Sequence, residues 1–173
     1  MTNDLLIREC TIEDLQILKT LSETTFIDSF GEDNNEEDLK AYLQDNFSIE
    51  KLEKEIRNQN SRYFLALLHG EPVGYMKVNF EGAHTEKNYG NSLEVQRIYV
   101  LKKFIGQSIG KSLMEKAMEI GRSQNLHYLW LGVWERNTAA IGFYERMGFE
   151  KIGEHVFVIG NDRQLDYLMK LEL

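Results

Sequence analysis

Apolar residues recur along this chain in two rhythms, one of helical period and one of strand type, and the changes between them mark out its elements. Leu5–Glu9 reads as a short strand. A helix start follows, with Thr11 as its cap and Asp14 three residues on. Leu15, Leu18, Leu21 and Phe26 then recur at roughly helical spacing. Turn formers crowd residues 30–35. Two more helices are predicted over 36–46 and 49–58, the second capped by Ser48. Strands over 63–68 and 73–80 flank His69-Gly70-Glu71-Pro72, a hairpin signal, and the polar stretch 82–91 reads as a loop. Residues 93–101 form the next strand. Ile109, Leu113, Ala117 and Ile120 make one apolar stripe on a helix over 108–123. Residues 127–134 are almost continuously apolar, as in a strand covered on both faces. A helix over 137–147 closes at Gly148, which suits a left-handed C-terminal position. Strands over 149–159 and 164–171 finish the chain, antiparallel around Gly160-Asn161-Asp162-Arg163.

The order β-α-α-α-β-β-β-α-β-α-β-β predicts an α/β fold, a mixed and mostly antiparallel sheet with helices on both faces. One β-α-β unit, from strand 93–101 through helix 108–123 to strand 127–134, should be parallel and right-handed. Ligands in such sheets sit beyond the carboxyl ends of strands. That rule brings the turn at Gly106 and the segment 134–137 to one crevice.

Composition narrows the function classes. At 173 residues, 42% hydrophobic and 28% charged, the chain fits one domain over residues 1–173 with a real core. No apolar run approaches the roughly 20 residues of a membrane span, and Met1-Thr-Asn-Asp4 lacks a signal region. Cys10 is the only cysteine, so an intrachain disulfide is excluded and a cytoplasmic location is expected. His69, His84, His127 and His155 are scattered, and no metal site is expected. A net charge of −8 with pI near 5.1 argues against nucleic acid as a partner. An acidic field favours cationic ligands, although it also serves solubility alone.

The local chemistry centres on Lys103-Phe-Ile-Gly106-Gln-Ser-Ile-Gly110. A strand that enters a Gly-bearing turn and then a helix offers free backbone N–H groups to an anion. The pattern is neither Gly-x-x-x-x-Gly-Lys-Ser/Thr nor Gly-x-Gly-x-x-Gly, which disfavours triphosphatase and dinucleotide folds. A plain turn with a close helix–strand contact is the other reading of Gly106 and Gly110. Further on, Trp134-Glu-Arg-Asn137-Thr-Ala-Ala-Ile-Gly-Phe-Tyr144-Glu-Arg-Met-Gly148-Phe149 sets Asn137 and Tyr144 seven residues apart, on one helix face.

Together the two segments resemble the GNAT superfamily of acetyl-CoA-dependent N-acetyltransferases, in element order over about residues 5–172 and most specifically over 93–150. The resemblance implies acetyl-CoA as acyl-donor cosubstrate. Its pyrophosphate would lie in a cradle of Lys103, Gly106, Gln107, Ser108, Ile109, Gly110 and Lys111. Lys103 stands where the family has Arg or Gln, and Ser108 where it has Gly or Ala. Backbone groups of Ile98, Tyr99 and Val100 would pair with the pantetheine arm. Asn137 would bond that arm or the adenine-side phosphates, a role compatible with capping its helix. Tyr144 would be the general acid that protonates the departing thiolate; a core aromatic is its other reading. Several family members carry a glutamate at the position of Gln96. Glu94, on the same strand face, is then the candidate base, or else a carboxylate paired with Lys or Arg.

Residues 131–137, 143–149 and 155–166, with 93–100, resemble most closely the bacterial PaiA-type spermidine/spermine N-acetyltransferases. The acceptor implied is a small-molecule amine, a cationic polyamine, acetylated by direct transfer in a ternary complex. Asp28, Glu32, Asp33, Glu36, Glu37 and Asp38 would then be either an acidic rim that draws in a polycation or a solvated helix start. Trp134, Tyr75, His155 and Phe157 are candidate acceptor-cleft residues or core. A protein or peptide amine, or an acyl-CoA-binding regulatory module without turnover, are the alternatives. Family members are often dimers that bury a strand edge, so a homodimer is a further expectation.

Overall fold

The computed structural model describes residues 4–173 apart from the side chains of Phe157 and Ile159. After strand β1 (Leu5–Glu9), the Thr11 hydroxyl accepts from the Glu13 N–H at 3.3 Å, and the Asp14 carboxylate accepts from the Thr11 N–H at 2.8 Å. This is a capping box over a single 3-10 turn. Arg8 grips the same carboxylate with two bonds of 2.8 Å, and that pairing holds Asp14 below the usual carboxylate range. Helices α1 (Leu15–Phe30), α2 (Glu36–Phe47) and α3 (Ile49–Arg57) follow. Asn35 caps α2 by accepting from the Asp38 N–H, and Ser48 caps α3 by accepting from the Lys51 N–H. Strands β2 (Ser61–Leu68), β3 (Glu71–Asn79) and β4 (Ser92–Val100) lead to helix α4 (Ile109–Ser123). Strand β5 (Tyr128–Trp134), helix α5 (Thr138–Met147), and strands β6 (Glu150–Ile159) and β7 (Asp162–Glu172) complete the chain.

The predicted element order holds throughout, with ends displaced by a few residues. The seven strands form one sheet in the order β1-β2-β3-β4-β5-β7-β6. Among the described residues its single parallel pairing is β4 with β5. One face packs on α4 and α5 through residues such as Leu113, Ala117 and Tyr144. The other packs under α1–α3 through Leu18, Leu21, Phe26 and Leu52.

Two irregularities of β4 shape everything that follows. Its pairing with β5 lasts only from Ser92 opposite Tyr128 to Glu94 opposite Trp130. Beyond that point β4 continues alongside β3, β5 continues alongside β7, and the sheet opens into a wedge. The register against β3 also skips from Val95–Val78 to Arg97–Lys77, so Gln96 is an extra, bulged residue. A bulge breaks the strict alternation of side chains. Arg97 therefore joins Glu94 on the face under α1–α3, a position that plain alternation does not give it.

Candidate active site

A cavity of about 800 Å³ runs through the wedge. On one side it is bordered by the turn before α4 and by α5, at Phe104, Gly106, Ser108, Asn137 and Tyr144. On the other it is bordered by Phe26, Phe30, Tyr42 and Phe47 of α1 and α2. The gap in the sheet thus joins two half-sites that face opposite ways.

The β4 wall of the gap carries unpaired backbone. The Leu101 N–H donates to the Val73 carbonyl at 2.8 Å. With Tyr99 opposite Tyr75, antiparallel alternation turns the Tyr99 backbone toward β3 and leaves the N–H and C=O groups of Ile98 and Val100 facing the gap. Of the three residues expected to offer backbone groups, two do so. Tyr99 contributes its ring instead, stacked on Tyr75.

At the entry to α4, Gly106 has φ +92° with no atom near the position a Cβ would take, so its glycine answers a backbone requirement and not a steric one. Ser108 is also left-handed, with φ 63°, and its side chain makes no cap. The first helical bond runs from the Ser112 N–H to the Ser108 carbonyl. Helix geometry therefore leaves the N–H groups of Ile109, Gly110 and Lys111 without intrahelical partners, at the positive end of the helix dipole. These donors fit a pyrophosphate. A methyl at Gly110 would make only ordinary contact with Phe143 and Val100, so a close helix–strand approach does not explain that glycine. Lys103 and Gln107 lie exposed beside the cavity and do not border it, whereas Lys111 does.

Asn137 caps α5, its Oδ1 accepting from the Ala140 N–H at 3.2 Å, and also borders the cavity. Tyr144 projects from the same helix against Phe143 and Phe149. It is 8% exposed, and among the described residues its hydroxyl has no hydrogen-bond partner. Burial pushes the phenol above its ordinary pKa of 10.

Glu94 is buried at the apex of the wedge. Its Oε1 accepts from Asn79 Nδ2 at 2.9 Å and from the Thr85 N–H at 2.8 Å, and its Oε2 accepts from the Thr85 hydroxyl. It is thus bound by neutral donors, not paired with Lys or Arg. The same Asn79 nitrogen donates to Gln96 Oε1, which keeps Glu94 and Gln96 on one side. Beneath them, Glu55 Oε2 accepts from Lys77 at 2.7 Å and from the Tyr63 hydroxyl at 3.0 Å, and Arg97 donates to that hydroxyl at 2.7 Å. Arg97 lies over the Phe47 ring and borders the cavity. Burial and the neighbouring Arg97 both lower the pKa of Lys77.

Several sequence expectations for the acceptor side change. None of Asp28, Glu32, Asp33, Glu36, Glu37 and Asp38 borders the cavity. The last three fill the first turn of α2, where acidic residues complement the dipole. Trp134 and His155 border the cavity, while Tyr75 is fully buried core and the Phe157 side chain lies outside the described residues. The carboxylates that reach the cavity are Glu86, Glu94 and Asp166. Glu86 faces His155 Nδ1 at 2.5 Å. Asp166 stands opposite both Trp134 and His155 in the sheet, and burial pushes its carboxyl up to about 6, with His155 pulling the other way. Its only local signal is a lone acid inside a strand; what it faces is set by register.

Comparison with known proteins agrees with this geometry. Residues 22–149 match the profile of the acetyltransferase (GNAT) family. An uncharacterized N-acetyltransferase of Lactobacillus delbrueckii subsp. lactis is 41% identical over 161 residues, 93% of each chain. The spermidine N(1)-acetyltransferase of Thermoplasma acidophilum is 26% identical over 148 residues, covering 83% of this chain and 87% of that one. Among solved structures, PaiA N-acetyltransferase of T. acidophilum in complex with coenzyme A superposes with a TM-score of 0.80 at 22% identity, over 98% of this chain and 99% of that one.

Proposed function

Since the chain belongs to the acetyltransferase (GNAT) family and uses acetyl-CoA as its acyl donor, we propose that its acceptor is a cationic polyamine of the spermidine type, acetylated on a primary amine by direct transfer in a ternary complex. The observation that carries this reading is the cavity itself. It crosses the sheet, with free backbone donors on the α4–α5 side and aromatic rings and carboxylates on the α1–α3 side. The similarity to a named spermidine acetyltransferase supports the polyamine.

The thioester supplies an activated acyl group, and the protein supplies position and proton transfer. The N–H groups of Ile109, Gly110 and Lys111, which have no intrahelical partners, hold the pyrophosphate, with Asn137 beside them. The free N–H and C=O groups of Ile98 and Val100 receive the pantetheine arm as a further strand and orient the thioester carbonyl. The neutral amine attacks that carbonyl and sheds a proton. Glu94 keeps one acceptor position on Oε2 for it, directly or through water. Collapse of the tetrahedral intermediate breaks the C–S bond, and the Tyr144 hydroxyl, uncommitted to any other acceptor, protonates the sulfur.

A thiol-release assay with acetyl-CoA against spermidine, spermine, putrescine, an aminoglycoside, an amino acid and a lysine-rich peptide tests the reading. Saturable turnover of spermidine or spermine, lowered by about 10²- to 10⁴-fold in Tyr144→Phe, is expected. Turnover confined to the peptide or the amino acid would overturn the polyamine assignment.

A further inference from the structure

The acceptor half of the cavity has charged groups on both sides. On its β3–β4 side Arg97 and Lys77 share one buried carboxylate, Glu55, and Glu94 on the same face of β4 offsets the second cation. The opposite wall, on β7 and the β3–β4 loop, carries Asp166 and Glu86. Three carboxylates border the cavity, and two are committed: Glu94 to Asn79 and Thr85, Glu86 to His155. Asp166 is the exception. Its Oδ1 is buried with no hydrogen-bond partner among the described residues. Its Oδ2 occupies room left by Gly132, where an added methyl would come within 3.4 Å of it. A carboxylate withdrawn from water without donors is costly. An ammonium nitrogen brings the missing donors and the missing charge.

We propose that Asp166 selects the acceptor by pairing with a cationic nitrogen other than the one acetylated, so that amines carrying a second positive charge are preferred. The inference rests on the polyamine reading above. Two observations place the second nitrogen there. Strand β5 stands between β7 and the wedge, so Asp166 is set back from the gap in which the thioester must lie. The reacting nitrogen must give up its proton at the gap, beside Glu94, whereas nothing requires a nitrogen beside Asp166 to lose its charge. A nitrogen that stays charged is the fitting partner. Arg97 disfavours such a charge on its own side of the cavity, and Asp166 is the cavity carboxylate with a buried oxygen left unpartnered among the described residues.

The test compares wild type with Asp166→Asn on putrescine, spermidine and n-butylamine, which is the putrescine chain with one nitrogen fewer. Wild type should favour putrescine over butylamine by about 10- to 100-fold in kcat/KM, the range for one charge-assisted hydrogen bond. In Asp166→Asn the ratio should shrink to within about threefold, through KM for the diamine, with acetyl-CoA affinity by calorimetry intact. A variant that binds acetyl-CoA normally and keeps the full diamine preference would overturn the role of Asp166 while leaving the polyamine reading in place. Lack of any diamine preference in the wild type would instead refute the polyamine reading, and this inference with it. Calorimetric titration of spermidine into the protein–CoA complex separates the same outcomes without turnover: weaker binding in the variant supports the assignment, equal binding removes it, and no binding by wild type refutes the polyamine reading.

Discussion

Tyr144 and Asp166 owe their properties to one cause, removal from water, with opposite consequences for the protein. Burial strengthens the hold of Tyr144 on its proton, so the phenol remains a donor across the whole neutral range. Tyr144→Phe keeps the ring packing against Phe143 and Phe149, and should lower kcat by about 10²- to 10⁴-fold with little change in acetyl-CoA affinity. Single-turnover kinetics beside a binding titration separate the two effects. Asp166 is destabilising in the free protein. Its folded pKa, about 6, lies above the ordinary 3.8, so its burial costs nothing below pH 4 and progressively more as pH rises through 6. Asp166→Asn should therefore raise Tm at pH 8 by about 2–4 °C relative to wild type, and the gain should vanish near pH 4. Thermal melts at the two pH values decide it. How much was legible in the sequence differs between these residues for a physical reason. Tyr144 and Asn137 lie two turns apart on one helix, a local relation that spacing alone reveals. Asp166 acquires its meaning from Gly132, Trp134 and His155 on other strands, and no local pattern encodes that register.

At the scale of elements, the sequence reads well wherever one segment decides its own conformation. The capping box at Thr11 and Asp14, the caps at Asn35 and Ser48, and the left-handed Gly148 closing α5 are all local devices. The bulge at Gln96 is not, because it exists only relative to β3. Alternation correctly put Glu94 with Gln96, yet it could not foresee that Arg97 would face the same cavity. The turn before α4 lies between these cases. Its glycine was visible, whereas the left-handed serine two residues later was not. Gly106→Ala adds a methyl that meets nothing, so its cost is conformational, about 1–2 kcal/mol for holding an alanine left-handed. We expect a Tm lower by about 2–8 °C and weaker binding of both acetyl-CoA and free CoA, since the turn shapes the cradle whatever the acyl group. Unchanged CoA affinity in a calorimetric titration would show that the donors of α4 act independently of the turn.

For the whole molecule, the net charge of −8 says less than the placement of a few charges. None of the six acidic residues between positions 28 and 38 borders the cavity, whereas three carboxylates from the loop after β3, from β4 and from β7 converge on it. No helix among the described residues is long and apolar enough to cross a membrane. The parting of β4 from β5 after Glu94 has a consequence for the order of events. A sheet with a hole in it gives each reactant its own doorway, so neither need wait for the other to enter or leave. Initial-rate patterns should intersect, with product inhibition consistent with either substrate arriving first. A conjugate in which the terminal nitrogen of spermidine is tethered to the sulfur of coenzyme A through an acetyl bridge should thread the opening from both ends. It should bind at least about 100-fold tighter than coenzyme A alone, because the second half-site is then filled without a second loss of translational freedom. Competition calorimetry against coenzyme A would measure that advantage directly, and Tyr144 and Asp166 would be held at once by a single molecule passing through the protein.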